Sequence, residues 1–206
     1  MAITNYTDLK AKIADYLSRS DLTSQIEDFI TGAEIRLRRE LRIREALKVV
    51  TATTTIGDST LGLPSDYNMM RDLHIVANPV GILEYQSPSA FFANTNSAQG
   101  GQPRQYTILA QEIQFSPIPD AVYTIQMLYY AQPPFLSATN TSNIFLSVCP
   151  DLLLYGALGE AEPYLMNDSR LQTWATLYER GLNALAISDD EGEYSGAPLT
   201  VKISPR

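Results

Sequence analysis

The hydrophobic period of this 206-residue chain changes twice: helical over residues 9–41, strand-like over 49–130, and helical again over 150–185. Apolar residues recurring every three or four positions bury one stripe of a helix, whereas alternation buries one face of a strand. Two helical blocks around a β-rich middle, with no internal repeat, argue for an α+β fold.

Within the first block, Thr7 can cap a short helix carrying Leu9, Ile13, Tyr16 and Leu17 on one face. Ser24 and Glu27 have capping-box spacing ahead of Ile26, Phe29, Ile30, Ala33, Leu37 and Leu41. That pattern predicts a helix of about 20 residues, the longest in the chain, running through the arginine-rich stretch RLRRELRIREALK.

The middle opens on VVTATTT, and Gly57-Asp58 predicts a hairpin to residues 60–63. Residues 72–76 and 81–85 read as a strand pair across Asn78-Pro79, and residues 88–92 as one or two helical turns. Residues 94–105, with Gly100-Gly101, have no apolar period and read as an exposed mobile loop. Residues 106–115 and 123–130 predict a hairpin joined by PIPDA, and 132–147 a long crossing loop.

In the second helical block Pro150 suits a first helical position, and Leu152, Leu153, Leu154, Tyr155, Ala157, Leu158 and Ala161 are apolar nearly all round. That helix should be central, ended or kinked by Pro163. Asp168 can cap a last helix turning Leu171, Trp174, Leu177, Tyr178, Leu182 and Leu185 inward. Beyond Ser188 an acidic, glycine-containing spacer leads to the strictly alternating LTVKI.

Apolar residues make up 45% and charged residues 18%, a folded rather than a disordered composition. No stretch approaches the roughly 18 apolar residues of a membrane span. The N-terminus lacks the basic start and apolar core of a secretion signal, so the chain is expected to stay where it is made. A formal net charge of −8 should repel nucleic acid. Yet residues 36–48 carry six cations against two anions, one basic segment on an acidic body.

Catalytic chemistry finds little support. Cys149 is the sole cysteine and reads as a small buried apolar residue. His74 is the sole histidine and reads as a strand residue on a polar face, too isolated for a zinc set or a Ser–His–Asp arrangement. Acidic groups such as Glu160 with Glu162, and residues 189–191, read as solvated helix-end and linker charges. Neither a GxxxxGK[ST] phosphate loop nor a GxGxxG motif after a strand is present, and no cofactor is expected.

Charged contact is the remaining signal, carried by Arg36, Arg38, Arg39, Arg42 and Arg44. These arginines could sit on the solvent face in intrahelical pairs, with Arg38, Arg42 and Glu45 outward, or engage the acidic surface of a neighbouring subunit or partner, or touch DNA. The terminal segment could be a frayed end, or an arm whose Leu199, Val201, Ile203 and Arg206 dock on another chain.

Three stretches, DLKAKIADYLSRSDLTSQIEDFITGAEIRLRRELRIRE, GGQPRQYTILAQEIQFSPIPDAVYTIQMLYYAQPPFLS and NIFLSVCPDLLLYGALGEAEPYLMNDSRLQTWATLYERGLNAL, resemble head–tail connector (adaptor) proteins of tailed bacteriophages in pattern and order. The resemblance implies a structural virion protein with no turnover: a cyclic homo-oligomer, typically a dodecamer, beneath the portal protein at the virion neck. It also implies a ring that extends the DNA channel and seats a stopper or tail protein, assembled from subunits in the host cytoplasm, with DNA passing without sequence-specific binding. Under it, residues 1–48 and 150–188 form a helical bundle, 49–135 a β-rich insertion, 136–149 a crossing loop, and 189–206 an extended C-terminal arm. The alternatives are a nucleic-acid-binding module using the arginine helix over residues 36–44, and an enzyme of unrecognised type.

Overall fold

A computed structural model describes residues 3–77, 79–94, 100–166 and 168–194, and it is a mixed α+β chain. It divides into two compact units, one built from residues 1–45 with 133–206, the other from residues 46–132.

Five α-helices among the described residues carry the first unit. Helix α1 (Tyr6–Leu17) buries Tyr6, Leu9, Ile13 and Leu17. Its cap is Asn5 rather than Thr7, because the Asn5 side-chain oxygen accepts the Asp8 N–H at 2.9 Å. Helix α2 (Thr23–Glu40) buries Ile26, Phe29, Ile30, Ala33, Glu34 and Leu37. The expected capping box does not form, since Ser24 already lies inside the helix and Leu22 at the N-cap supplies no side-chain acceptor.

Helix α2 also stops at Glu40, because Leu41 and Ile43 are both buried and alternate along an extended segment. Arg42 and Arg44 therefore lie beyond the helix that the sequence pattern carries through them. A short 3₁₀ turn at Arg44–Ala46 then leads into the second unit.

The crossing segment is irregular until the five-residue helix α4 (Ile144–Val148), which Asn143 caps through the Leu146 N–H at 3.0 Å. Helix α5 (Pro150–Tyr164) begins on Pro150, buries Leu152, Leu153, Leu154, Ala157, Leu158 and Ala161, and packs against α1, α2 and α4. It ends one residue after Pro163. Helix α6 (Asp168–Tyr194) packs on α5, buries Tyr178, and at 27 residues is longer than α2 at 18.

Residues 189–194 are the last turns of α6, not the spacer that the acidic run implies. Carboxylates at a helix C-terminus oppose the helix dipole. Here Asp189 accepts the Arg44 N–H at 2.9 Å, and the Arg44 guanidinium lies against Gly192.

The second unit stacks two four-stranded sheets. The first has the order β1 (Leu47–Thr53), β10 (Thr124–Ala131), β3 (Tyr67–Ile75), β4 (Gly81–Ile82), antiparallel throughout. The second has the order β2 (Thr60–Gly62), β8 (Glu112–Ser116), β7 (Gln105–Leu109), β5 (Glu84–Tyr85). Alternate residues of β10 (Ile125, Met127, Tyr129, Ala131) and β8 (Ile113, Phe115) join Leu73, Ile75, Leu83 and Tyr106 in one core between the sheets.

Pairing departs from the sequence pattern in three places. β1 pairs with β10 and β2 with β8, so the expected hairpin across Gly57-Asp58 does not form. Residues 105–116 are themselves a hairpin, turned at Ala110 with φ +54, while β10 belongs to the other sheet. Gly100–Gly101 forms strand β6, parallel to β9 (Ile118–Pro119), instead of loop. The expected pairing of β3 with β4 and the helical turns α3 (Pro88–Asn94) are both present. Asn78 of the expected turn lies outside the described residues.

Candidate interaction surface

The buried stripe of α2 leaves the opposite face to its arginines, and the structure sorts the five candidates into two groups. Arg36 is held internally: its Nε donates to Glu40 Oε1 at 3.0 Å, and its guanidinium stacks 4.1 Å over the Tyr178 ring. The Tyr178 hydroxyl in turn donates to Glu40 Oε2 at 2.8 Å. Burial first, then the Glu40 carboxylate, pushes the Tyr178 phenol well above its ordinary pKa.

Arg38 does not occupy the solvent face. Its guanidinium donates to the Pro133 carbonyl and lies 3.4 Å over the Phe135 ring. One turn earlier, fully buried Glu34 accepts the Leu136 N–H on both oxygens at 3.1 Å, and Asn143 Nδ2 at 2.6 Å. Burial lowers the Arg38 pKa against the field of Glu34 and raises that of Glu34. Glu34 and Arg38 thus clamp residues 133–143 onto α2. Arg44 is also engaged: its main-chain N–H donates to Asp189, and its guanidinium lies against Gly192 and pairs with Glu45 at 3.5 Å.

Arg39 and Arg42 differ from the other three. Arg39 donates only to the Ile35 carbonyl of its own helix at 3.2 Å, and both are exposed with no carboxylate partner among the described residues. They line a groove of about 450 Å³ together with Leu41, Ile43, Leu182, Asn183 and Ala186 and with the carboxylates of Glu40, Asp189 and Asp190. Apolar side chains beside exposed guanidiniums have the composition of a protein contact, in which arginine can bind a partner's carboxylate in a fixed fork. The arm residues Leu199, Val201, Ile203 and Arg206 lie outside the described residues.

The remaining titratable candidates are structural. His74 Nε2 lies 2.8 Å from Gln126 Oε1, and its Nδ1 lies 3.6 Å from Asp72. Glu162, read from sequence as solvated, is fully buried; it accepts Trp174 Nε1 at 2.9 Å and pairs with Arg170 at 3.1 Å. Among the described residues no group of three His, Cys, Asp or Glu can hold a metal ion, and no helix is long and apolar enough to cross a membrane.

Cys149 is buried, and burial, with the Asp151 charge, pushes its thiol up to about 12. A maleimide or Ellman-type reagent is therefore expected to leave Cys149 unmodified in the native chain and to titrate one thiol per chain in denaturant.

Comparison with known families places the chain. The model described as SU10 adaptor protein matches residues 4–202. The chain belongs to the SU10 adaptor protein family. This is a family of phage head–tail adaptors, so the chain is a structural adaptor protein of a bacteriophage and takes its place at the virion neck among other virion proteins. The SU10 adaptor match spans both compact units and nearly all described residues. A search of curated proteins returned no match.

Proposed function

We propose that this chain closes, by head-to-tail contacts between identical copies, into a ring beneath the portal protein. That ring, a dodecamer in our reading, extends the DNA channel and seats a stopper or tail protein. The observation that carries the reading is the family match over residues 4–202. The charge distribution supports it. A net charge of −8 suits a channel wall that must release phosphates rather than hold them. Arg39 and Arg42, which have no carboxylate partner among the described residues, supply the attraction that lets acidic copies meet without like-charge repulsion.

The mechanism is geometric: a heterologous contact repeated by rotation closes a ring, and the lumen conducts DNA without chemistry. The C-terminal residues Leu199, Val201, Ile203 and Arg206 act as a docking arm in the same assembly.

The test mixes the purified chain with isolated portal rings and follows co-sedimentation. The wild type should bind, and Arg39→Glu with Arg42→Glu should weaken binding at least ~10-fold, from two charge reversals of about 1 kcal/mol or more each. A full ring of copies still formed on the portal by the double reversal removes these arginines from the contact between copies. Tight, salt-sensitive binding to duplex DNA in place of portal binding favours the nucleic-acid reading.

A further inference from the structure

Strand register gathers four chain segments at one end of the first sheet of the β unit. Thr53 faces Thr124, Ile125 faces Ile75, and Ile75 faces Gly81, so β1 and β3 end where β10 and β4 begin. Ile56, Val76, Val80, Ile82 and Val122 belong to that end, and each is between 50 and 78% exposed. Together they leave on the order of 500 Å² of apolar surface in water, as much as the largest patch on a typical monomer, and such patches are commonly binding sites. Residues 54–57, 76–82 and 121–124 contain no charged residue. They also lack the lysine, arginine or tryptophan that would anchor such an end in a bilayer.

The first half of β3 borders a groove of about 540 Å³ in the same unit. It is lined by Tyr67, Tyr85 and Tyr106, by Met69 and Met70, and by Ile108 and Arg71. The Tyr67 hydroxyl accepts the Met70 N–H at 2.8 Å, and the Tyr85 ring meets Tyr106 edge to face with centroids 5.6 Å apart. Methionine, unbranched and polarizable, shapes itself to an apolar guest. Exposed carboxylates, Asp72 and Glu84, adjoin the lining residues in sequence and disfavour an acidic guest.

We propose that the apolar sheet end of one copy seats in the tyrosine and methionine groove of the next. This rests on the ring reading above and names one contact within it. Two features select a second copy as the occupant. From Met69 to Ile75 the strand runs about 20 Å, so the groove and the apolar end are held apart on one sheet and cannot meet within a chain. Copies with a net charge of −8 repel through their charged surfaces and approach most easily through an uncharged one. Because the two surfaces differ, the contact is head-to-tail, the kind that a ring repeats by rotation.

The experiment uses the full-length chain assembled on isolated portal rings and mildly oxidised. Met70→Cys and Val80→Cys should each stay without cross-links, their equimolar mixture should give a covalent dimer, and the double variant a ladder of multimers. The native Cys149 is buried and adds no background. Val80→Asp with Ile82→Asp should weaken ring formation on the order of 100-fold, because carboxylates would enter an apolar groove unpaired. Its melting temperature should match wild type, since both side chains are exposed in the single chain. Dimers of Val80→Cys alone indicate a symmetric contact and overturn the proposal. A ring that the aspartate variant forms as readily as wild type also overturns it and leaves the adaptor reading standing. Loss of the ring without any disulfide to Met70→Cys means that the apolar end meets a different protein, and overturns it too; a wild type that forms no ring removes both readings.

Discussion

Replacing Glu34 with alanine is expected to destabilise the helical unit by about 3–5 kcal/mol, the usual cost of leaving buried partners of a charge uncompensated. The Leu136 N–H and the Asn143 amide would lose their acceptor, and Arg38 its counter-charge. For a chain of this length that is a fall in melting temperature on the order of 10 °C. Glu34→Gln keeps one acceptor oxygen and should cost less, about 1–3 kcal/mol.

The pH dependence has a definite sign. Burial raises the Glu34 pKa in the folded chain, so the folded state holds the proton more tightly than the unfolded state. The stability this lends is complete below the ordinary carboxylate range and is lost as pH rises through the raised value. Relative to Glu34→Gln, wild type should therefore be most stable in acid and lose ground as pH rises. Thermal melts of both proteins from acid to neutral pH check this, and a difference that grows with pH in wild type's favour contradicts it.

Phe115→Ala is expected to have a comparable effect in the other unit. Its ring is 1% exposed on β8, in the core shared by both sheets, where phenylalanine truncation costs about 3–5 kcal/mol through lost burial and a residual cavity. Because residues 46–132 form their own compact unit, amides of β3, β7, β8 and β10 should lose protection while those of α2 and α5 keep theirs. Equal loss in both units would show that they unfold as one.

Much of the helical unit was legible because its information is local. The stripes Leu9, Ile13, Leu17 and Ile26, Ile30, Ala33, Leu37 are buried as their spacing requires, and so is the nearly all-apolar α5. Strand pairing was not legible, because partners distant in sequence outweigh local turn signals. The turn at Ala110 carries none of the glycine, asparagine or aspartate that normally mark a left-handed position. The arginine stretch contains no glycine or proline to stop a helix, and α2 ends only because Leu41 and Ile43 are needed in the core.

At the candidate surface, charge composition singled out the arginine segment and not the division of labour within it. Whether an arginine is free depends on what lies across from it, and Pro133, Phe135, Tyr178 and Gly192 come from far along the chain. One missed residue did leave a trace. Glu34 falls inside the apolar stripe, one turn after Ile30 and three residues before Leu37, where a carboxylate must be paired to be tolerated.

Electron microscopy of the purified chain bound to isolated portal rings tests the ring-forming adaptor role most directly. The expected image is a closed ring of copies, coaxial with the portal and continuing its channel. Single copies scattered on the portal, or no binding across a range of salt, would contradict it.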